Sequence, residues 1–364
     1  MLNSSANLLE QLLLKKLNQH LDLTGQRSEN QYGFRHGRST EDAIQRVISA
    51  AHGAALGAVQ HRDLCVVISL DIRNAFNTVP WRRIDAALRR KLVPSLLNVK
   101  IRSYFQDRTL LVGESQTSRS VTCGVPQGSV LGPALWNVFY DDLLEIDMPP
   151  GVQLVSFVDD VAAIEISRIG PSAAELLKPA LDTVAKWVRN NGLEIAPQKS
   201  EAVVLTRKYR YDNPLLYVED HVIPVKPAIR YLGVELDTRL SFTTHIATAS
   251  KKASDSAKAI GRLMPDVGFP AQAKWAPLGS VTNSKLLYAS PTWATTGVKT
   301  AKNQQAMARA QRTMTLRTIR SYRTVSAEAS SVRISATVGA SSFRSTSVSN
   351  DFVAVDDAAI IELV

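Results

Sequence analysis

Cysteine is nearly missing: Cys65 and Cys123 are the only two in 364 residues. They lie far apart in apolar or turn-like settings, so they offer no CxxC, no zinc knuckle and no disulfide framework. A reducing intracellular compartment is therefore expected. Long apolar runs are missing too. Nothing approaches the ~18 residues that a membrane-spanning helix requires, and no membrane partner is expected. The N-terminal stretch is amphipathic and lacks a signal-peptide pattern, and no internal repeat is seen. Acidic residues are outnumbered, with 33 Asp and Glu against 43 Lys and Arg, a net charge of +10. That surplus suits a polyanionic partner better than a neutral small molecule, although many soluble proteins are simply basic. What is present is ordinary for a globular chain, 45% hydrophobic and 21% charged, and long enough for two or three subdomains.

Periodicity sets out the elements. Leu9, Leu13, Leu17 and Leu21 recur at helical spacing within 8–21, and Gly25, Ser28 and Asn30 break the helix. Thr40 is placed to cap a second helix through Ile44 and Val47. The run Val66–Leu70 is apolar and β-branched, reads as a buried strand, and ends on Asp71. Helices are predicted at Trp81–Leu92 and Pro94–Phe105, and at Ala134–Leu144 after a Gly/Pro-rich segment, Gly124–Pro133. A hairpin is predicted from Leu154–Val158 and Val161–Ile166, with Asp159 and Asp160 at its bend. A helix at Ala173–Asn191 stops at Gly192. Strands follow at Ala202–Leu205, Leu216–Val218 and Tyr231–Leu236, then helices at Thr243–Met264 and Thr300–Ile319. The order predicts an α+β fold with helices on one face of an antiparallel sheet. From Ser326 onward the chain is rich in Ser, Ala and Val with weak periodicity, and a poorly ordered tail is expected.

The sharpest chemical feature is the pair of strand-end acids. A carboxylate at the end of a buried strand is costly unless compensated. Two such sites in one sheet raise each other's pKa unless a cation lies between them. A divalent metal pair is the natural compensation, because Mg²⁺ takes carboxylate and substrate phosphate oxygens together, and two ions assist an in-line phosphoryl displacement. An Asp-Asp pair by itself is most often a turn.

Several segments resemble the reverse transcriptase family, in the family's order. Gln31 to Thr40 looks like the QxGFRxGRST block of non-LTR (LINE-type) retrotransposons. Asp71 to Phe76 looks like the DxxxAF motif, and Gly124 to Pro133 like the Gln-Gly block. Phe157-Val-Asp-Asp160 stands where the family has Tyr/Phe-Ala/Val-Asp-Asp. Gly192-Leu193 with Lys199, and Tyr231-Leu-Gly233, match the two blocks that follow. The Gly-Phe-Arg and Tyr-Leu-Gly blocks resemble arthropod-type elements.

The resemblance implies an α+β right-hand polymerase: partial fingers (1–62), a ferredoxin-like palm (63–240), a helical thumb-like region (241–325) and a divergent tail (326–364). It implies RNA-directed DNA polymerisation with an RNA template, a DNA primer and dNTPs, and nuclear residence. Asp71, Asp159 and Asp160 are implied to hold two Mg²⁺ ions, Mn²⁺ being the substitute, and Lys199 to act on the leaving pyrophosphate. Ile72, Phe76, Gln127 and Gly128 are implied to bind the nucleotide, Phe76 by excluding a 2′-hydroxyl. Arg35, Arg38, Tyr231, Gly233, Arg309 and Arg312 are implied to touch template or primer.

Plainer readings stand beside these on spacing alone. Phe76 reads as a core aromatic, Gln127-Gly128 as a turn, Lys199 as a solvated lysine, and Tyr231 with Gly233 as strand and turn. Arg35 and Arg38 read as surface residues, and the stretch holding Arg309 and Arg312 as a solvated cationic helix. The resemblance also leads one to expect an Arg-Pro-Ile type fingers block before 8–21. Its absence suggests an N-terminally truncated copy. A catalytically inert relic that binds nucleic acid through its basic surface is therefore an alternative. An RNA-templated RNA polymerase is a third reading, which the bulky Phe76 disfavours. Oligomeric state is left open.

Overall fold

The computed structural model describes residues 4–56, 63–106, 108–112, 117–168, 170–263, 276–318 and 324–326. They belong to two compact units, Met1–Leu232 and Gly233–Val364. The tail expected beyond Ser326 lies outside the described residues.

In the first unit α1 (Ser4–Thr24) and α2 (Thr40–Ala54) precede β1 (Leu64–Leu70). Next come α3 (Ala75–Thr78), α4 (Trp81–Arg90), α5 (Ser95–Phe105) and a small hairpin of β2 (Thr109–Val112) and β3 (Thr117–Ser120). Then α6 (Gly132–Leu144) leads to the hairpin β4 (Val152–Phe157) and β5 (Asp160–Ser167), and α7 (Gly170–Asn190) leads to β6 (Glu201–Leu205). The unit closes with β7 (Leu216–Val218), β8 (His221–Ile223), β9 (Val225–Lys226) and β10 (Ala228–Tyr231).

Among the described residues one five-stranded sheet organises this unit, in the order β4-β5-β1-β6-β9. The pairings are antiparallel except β6 with β9. The succession β1, helices, β4, β5, α7, β6 with that spatial order is the ferredoxin-like βαββαβ arrangement, as the resemblance implies.

β1 is apolar except at Ser69, as suits a strand covered on both faces. Val66, Ile68 and Leu70 join Val161, Ala163, Ala202 and Val204 in a core with Leu135, Trp136 and Phe139 of α6 and Leu177, Leu181 and Val184 of α7. On the other face Cys65 and Val67 stand beside Ile166, Ile164, Leu205 and Val203. That face lies under α2, which buries Ala43, Ile44, Val47 and Ile48 and whose Arg46 donates to Gln153 of β4 at 2.9 Å. The expectation of helices on one face only is therefore corrected: α2 is a second helical layer.

Two local expectations change as well. The cap of α2 is Ser39, not Thr40: its hydroxyl accepts from the Asp42 amide while the Asp42 carboxylate accepts from the Ser39 amide, a capping box. The run predicted as one strand, Tyr231–Leu236, is interrupted by left-handed Leu232 (φ 46) and Gly233 (φ 87), and strand returns at β11 (Val234–Asp237).

The second unit adds α8 (Thr243–Leu263), α9 (Ala276–Leu286), α10 (Ser290–Gly297) and α11 (Ala301–Thr318) to β11. The long helix α8 packs against both α9 and α11. Trp293 is fully buried at the edge of the His245 ring, 5.5 Å between centroids. Asn303 ties the start of α11 to the end of α10 by donating to the Gly297 carbonyl at 2.7 Å. The sequence gives no periodic signal for α9 and α10, whose Gly, Ser, Thr and Pro content suits loops equally well.

Candidate active site

β1 ends at Leu70, opposite Val161 of β5. One rung further along this ladder stand Asp71 and Asp160. By strand alternation both belong to the face that also carries Cys65 and Val67. Asp159 directly precedes Asp160, in the β4–β5 bend. The three carboxylates drawn from separate sequence segments are thus brought to one end of the sheet.

Their electrostatics record the crowding. Burial, then the Asp159 and Asp71 charges, push the Asp160 carboxyl up to about 6. Burial and Asp71 also raise Asp159, against a backbone hydrogen bond that lowers it. Asp71 Oδ2 is buried without a hydrogen-bond partner. Lys199 Nζ stands 3.3 Å from it, an ion-pair separation without hydrogen-bond geometry. Lys199 is otherwise exposed, at the end of the 3₁₀ turn Pro197–Lys199. The Asp71 carbonyl accepts from the Ala196 amide at 2.8 Å, and Ile72, buried, bridges Ile195, so the Lys199 segment is fastened to the Asp71 strand end.

Mutually repelling acids with an orphaned oxygen are a donor set that suits a divalent cation. Among the described residues no group of three or more His, Cys, Asp or Glu side chains forms a ready-made cage. The set therefore fits an ion shared with substrate oxygens better than one enclosed by protein alone.

The bend that carries Asp159 has a feature the sequence did not disclose. Val158 lies in the left-handed region at φ 65, which is uncommon for a β-branched residue. Gln31 holds it from both sides: Oε1 accepts from the Val158 amide at 3.1 Å and Nε2 donates to the Val158 carbonyl at 3.4 Å. Trp136 Nε1 donates to the same carbonyl at 3.0 Å. Gly33 lies so close that an added Cβ would meet Val158 Cγ2 at 2.4 Å and its amide nitrogen at 2.5 Å. The only signal for this in the sequence was that Gln31 and Gly33 open the QxGFR block.

The remaining sequence-predicted residues fall as follows. Phe76 is half-buried, stacked on Trp136 at 4.9 Å and edge-on to Phe34 at 6.4 Å, and its carbonyl accepts from the Val125 amide. Gln127 and Gly128 are exposed, with Gly128 at φ 82. Arg35 and Arg38 are half-buried and both paired with Glu29, and Arg38 also lies over the Tyr32 ring. The Tyr231 ring is buried at 1% exposure, so the side chain offers no surface to a ligand. In the second unit a Cβ on Gly233 would stand 2.9 Å from Tyr288 Cε1, so glycine there is demanded by packing as well as by its φ. Arg309 is exposed on α11, whereas Arg312 donates to the Val325 carbonyl.

Comparison with known proteins now places this arrangement. The family model for reverse transcriptase (RNA-dependent DNA polymerase) matches residues 1–236. The probable RNA-directed DNA polymerase from transposon X-element of Drosophila melanogaster is 31% identical over 251 residues, 68% of this chain and 27% of that protein. The RNA-directed DNA polymerase from mobile element jockey of the same species is 30% identical over 255 residues, with the same two coverages. The chain thus spans about a quarter of the length of these curated relatives. Among solved structures, apo telomerase from Candida tropicalis aligns at a TM-score of 0.45 and 11% identity, covering 85% of this chain and 54% of that one. The same enzyme in complex with a telomeric RNA fragment aligns at 0.43 and 13%, covering 92% and 54%. On the match of the family model, in the order of blocks the sequence displays, this chain belongs to the reverse transcriptase family.

Proposed function

We propose that the first unit catalyses RNA-directed DNA synthesis, adding dNTPs to a DNA primer on an RNA template. The observation that carries this is the meeting of Asp71, Asp159 and Asp160 at one end of the ferredoxin-like sheet, in a chain of this family. Reverse transcriptases use divalent metal ions; the ion proposed here is Mg²⁺, two of them, held by Asp71 and Asp159 with Asp160 in support. Bound there, the ions would activate the primer 3′-hydroxyl and neutralise charge on the leaving pyrophosphate.

The chain's own side chains account for the rest. Phe76, fixed by its stack on Trp136, presents a flat wall to the sugar and has no room for a 2′-hydroxyl. Gln127 and Gly128 are exposed, and nothing lies within 4 Å of where a Gly128 side chain would begin, so a ligand can approach the backbone there. Lys199 stands 3.3 Å from Asp71; a metal held at Asp71 would compete for that carboxylate and would leave the Lys199 charge for the triphosphate. Arg309 on α11 is free to meet a phosphate backbone. Nuclear residence is part of the same proposal, since such a product must reach chromosomal DNA.

The test is primer extension on poly(rA)/oligo(dT) with Mg²⁺ and dTTP, beside Asp159→Asn. Extension that disappears in the variant supports the reading. Folded protein that binds the duplex but extends nothing would leave an inert nucleic-acid-binding relative.

A further inference from the structure

The three acids are placed by two different means. Asp71 continues a central strand, fully buried on both sides. Asp159 lies in a two-residue bend at the sheet's outer hairpin and Asp160 directly after it, at the start of β5; the bend's leading residue, Val158, has a backbone conformation that valine disfavours. Left alone, such a bend relaxes, and the carboxylates with it. Something outside the hairpin must hold it.

We propose that Gln31 is the positioning residue of the carboxylate bend, setting the place of Asp159 and Asp160 relative to Asp71. The proposal rests on the metal-dependent reading above. Gln31 is 1% exposed and uses both ends of its amide. Oε1 accepts from the Val158 amide and from the Gly33 amide at 3.0 Å; Nε2 donates to the Val158 carbonyl and to Ser156 Oγ at 3.3 Å. A single side chain thereby fixes both the N–H and the C=O of the peptide units that flank the left-handed residue.

The anchor is itself fixed. Residues 30–32 run beside β4 as a short parallel bridge, Gln31 opposite Ser156. The Ser156 amide donates to the Asn30 carbonyl and the Tyr32 amide to the Ser156 carbonyl, both at 2.9 Å. Trp136, which carries Phe76 on its face, donates to the same Val158 carbonyl. The bend is therefore tied at one point to the segment before α2 and to α6. An amide is the side chain this requires. A carboxylate lacks the donor and would bring another negative charge to the acids, and an aliphatic chain of equal length would leave a buried N–H unpaired.

The experiment compares the full chain as wild type, Gln31→Met, Asp159→Asn and Leu181→Ala. The last is a core truncation in α7 that lowers stability without touching the bend. Mn²⁺ binding is measured by the paramagnetic resonance of free Mn²⁺ with dTTP present to supply the substrate oxygens, its own Mn²⁺ binding subtracted from a protein-free control, at a temperature where every variant is folded. Amide hydrogen exchange is read for 157–160. Gln31→Met is expected to weaken Mn²⁺ binding at least tenfold and to accelerate exchange at 158–160, while Leu181→Ala stays within twofold of wild type in both. Gln31→Met binding Mn²⁺ as wild type does would overturn the positioning role and leave the metal-dependent reading standing. Wild type showing no Mn²⁺ binding that depends on Asp159 would overturn both.

Discussion

Glu10 offers a quantitative test that needs no activity. It lies on α1, 2% exposed, and its Oε2 accepts from the backbone amides of Val130 at 2.8 Å and Leu131 at 3.1 Å. Those amides, two and three residues after Gly128, lead into α6, whose N-cap is Leu131. Substitution Glu10→Ala leaves one buried and one part-buried N–H group without their acceptor just ahead of a helix. Hydrogen bonds to a charged group contribute roughly 1.5–3 kcal/mol each, and a carboxylate at a helix start adds roughly 0.3–1 kcal/mol. Against this, Glu10 Oε1 is buried without a partner, so removing the side chain also removes a desolvation cost. The net loss should be about 2–4 kcal/mol. Glu10→Gln keeps an acceptor and loses only the charge, so it should cost about 1 kcal/mol. Urea unfolding followed by circular dichroism measures both, and hydrogen exchange at Val130 and Leu131 localises the effect. An alanine variant within about 0.5 kcal/mol of wild type, the range of ordinary surface substitutions, would refute the reasoning.

Four further outcomes are expected. Gly33→Ala should destabilise the fold and disturb the bend, because its Cβ would overlap Val158; an unchanged melting temperature contradicts the packing. Burial pushes the Glu165 carboxyl, fully inside the sheet, up to about 7. The folded chain then keeps a proton that the unfolded chain gives up, so this group's stabilisation is complete below the unfolded value and is lost as pH rises through about 7. Glu165→Gln should accordingly gain on wild type between pH 5 and 8, and a denaturation series in which it loses ground removes the assignment. With dTTP present, Mg²⁺ should raise the melting temperature of wild type but not of Asp159→Asn, and more at pH 7.5 than at pH 5.5, since burial and the neighbouring acids push the Asp160 carboxyl up to about 6; equal shifts argue against metal at these acids. Phe76→Ala should raise the ratio of ribonucleotide to deoxynucleotide incorporation, and an unchanged ratio would return Phe76 to the core.

Much of the first unit was legible because its signals are local. The β-branched run ending on Asp71 and the apolar hairpin around Asp159-Asp160 needed only periodicity. Gly192 marked the end of α7, which the chain ends at Asn190. What the sequence concealed depends on partners far along the chain. Gln31 meets Val158 across 127 positions and Glu10 meets Leu131 across 121, and no pattern within a window reports such pairs. The second covering of the sheet was missed for the same reason: α2 looks like any amphipathic helix until β1, β4 and β5 lie beneath it. The strand break at Leu232 failed differently. Leu232 sits between apolar strand residues and carries no turn signal of its own, and its left-handed φ, next to Gly233, stops the strand.

Asp71, at the end of β1, and Asp159, in the β4–β5 bend, should act as one catalytic centre. Single-nucleotide extension on an RNA template, measured for wild type, Asp71→Asn, Asp159→Asn and the double variant, tests it most directly. Residues acting as a unit are non-additive. Each single substitution should lower the rate by about a thousandfold or more, in the range of a lost electrostatic stabiliser, and the double variant should be little worse than either. Losses that multiply in the double variant, or an Asp71→Asn enzyme that extends nearly as fast as wild type, would contradict it.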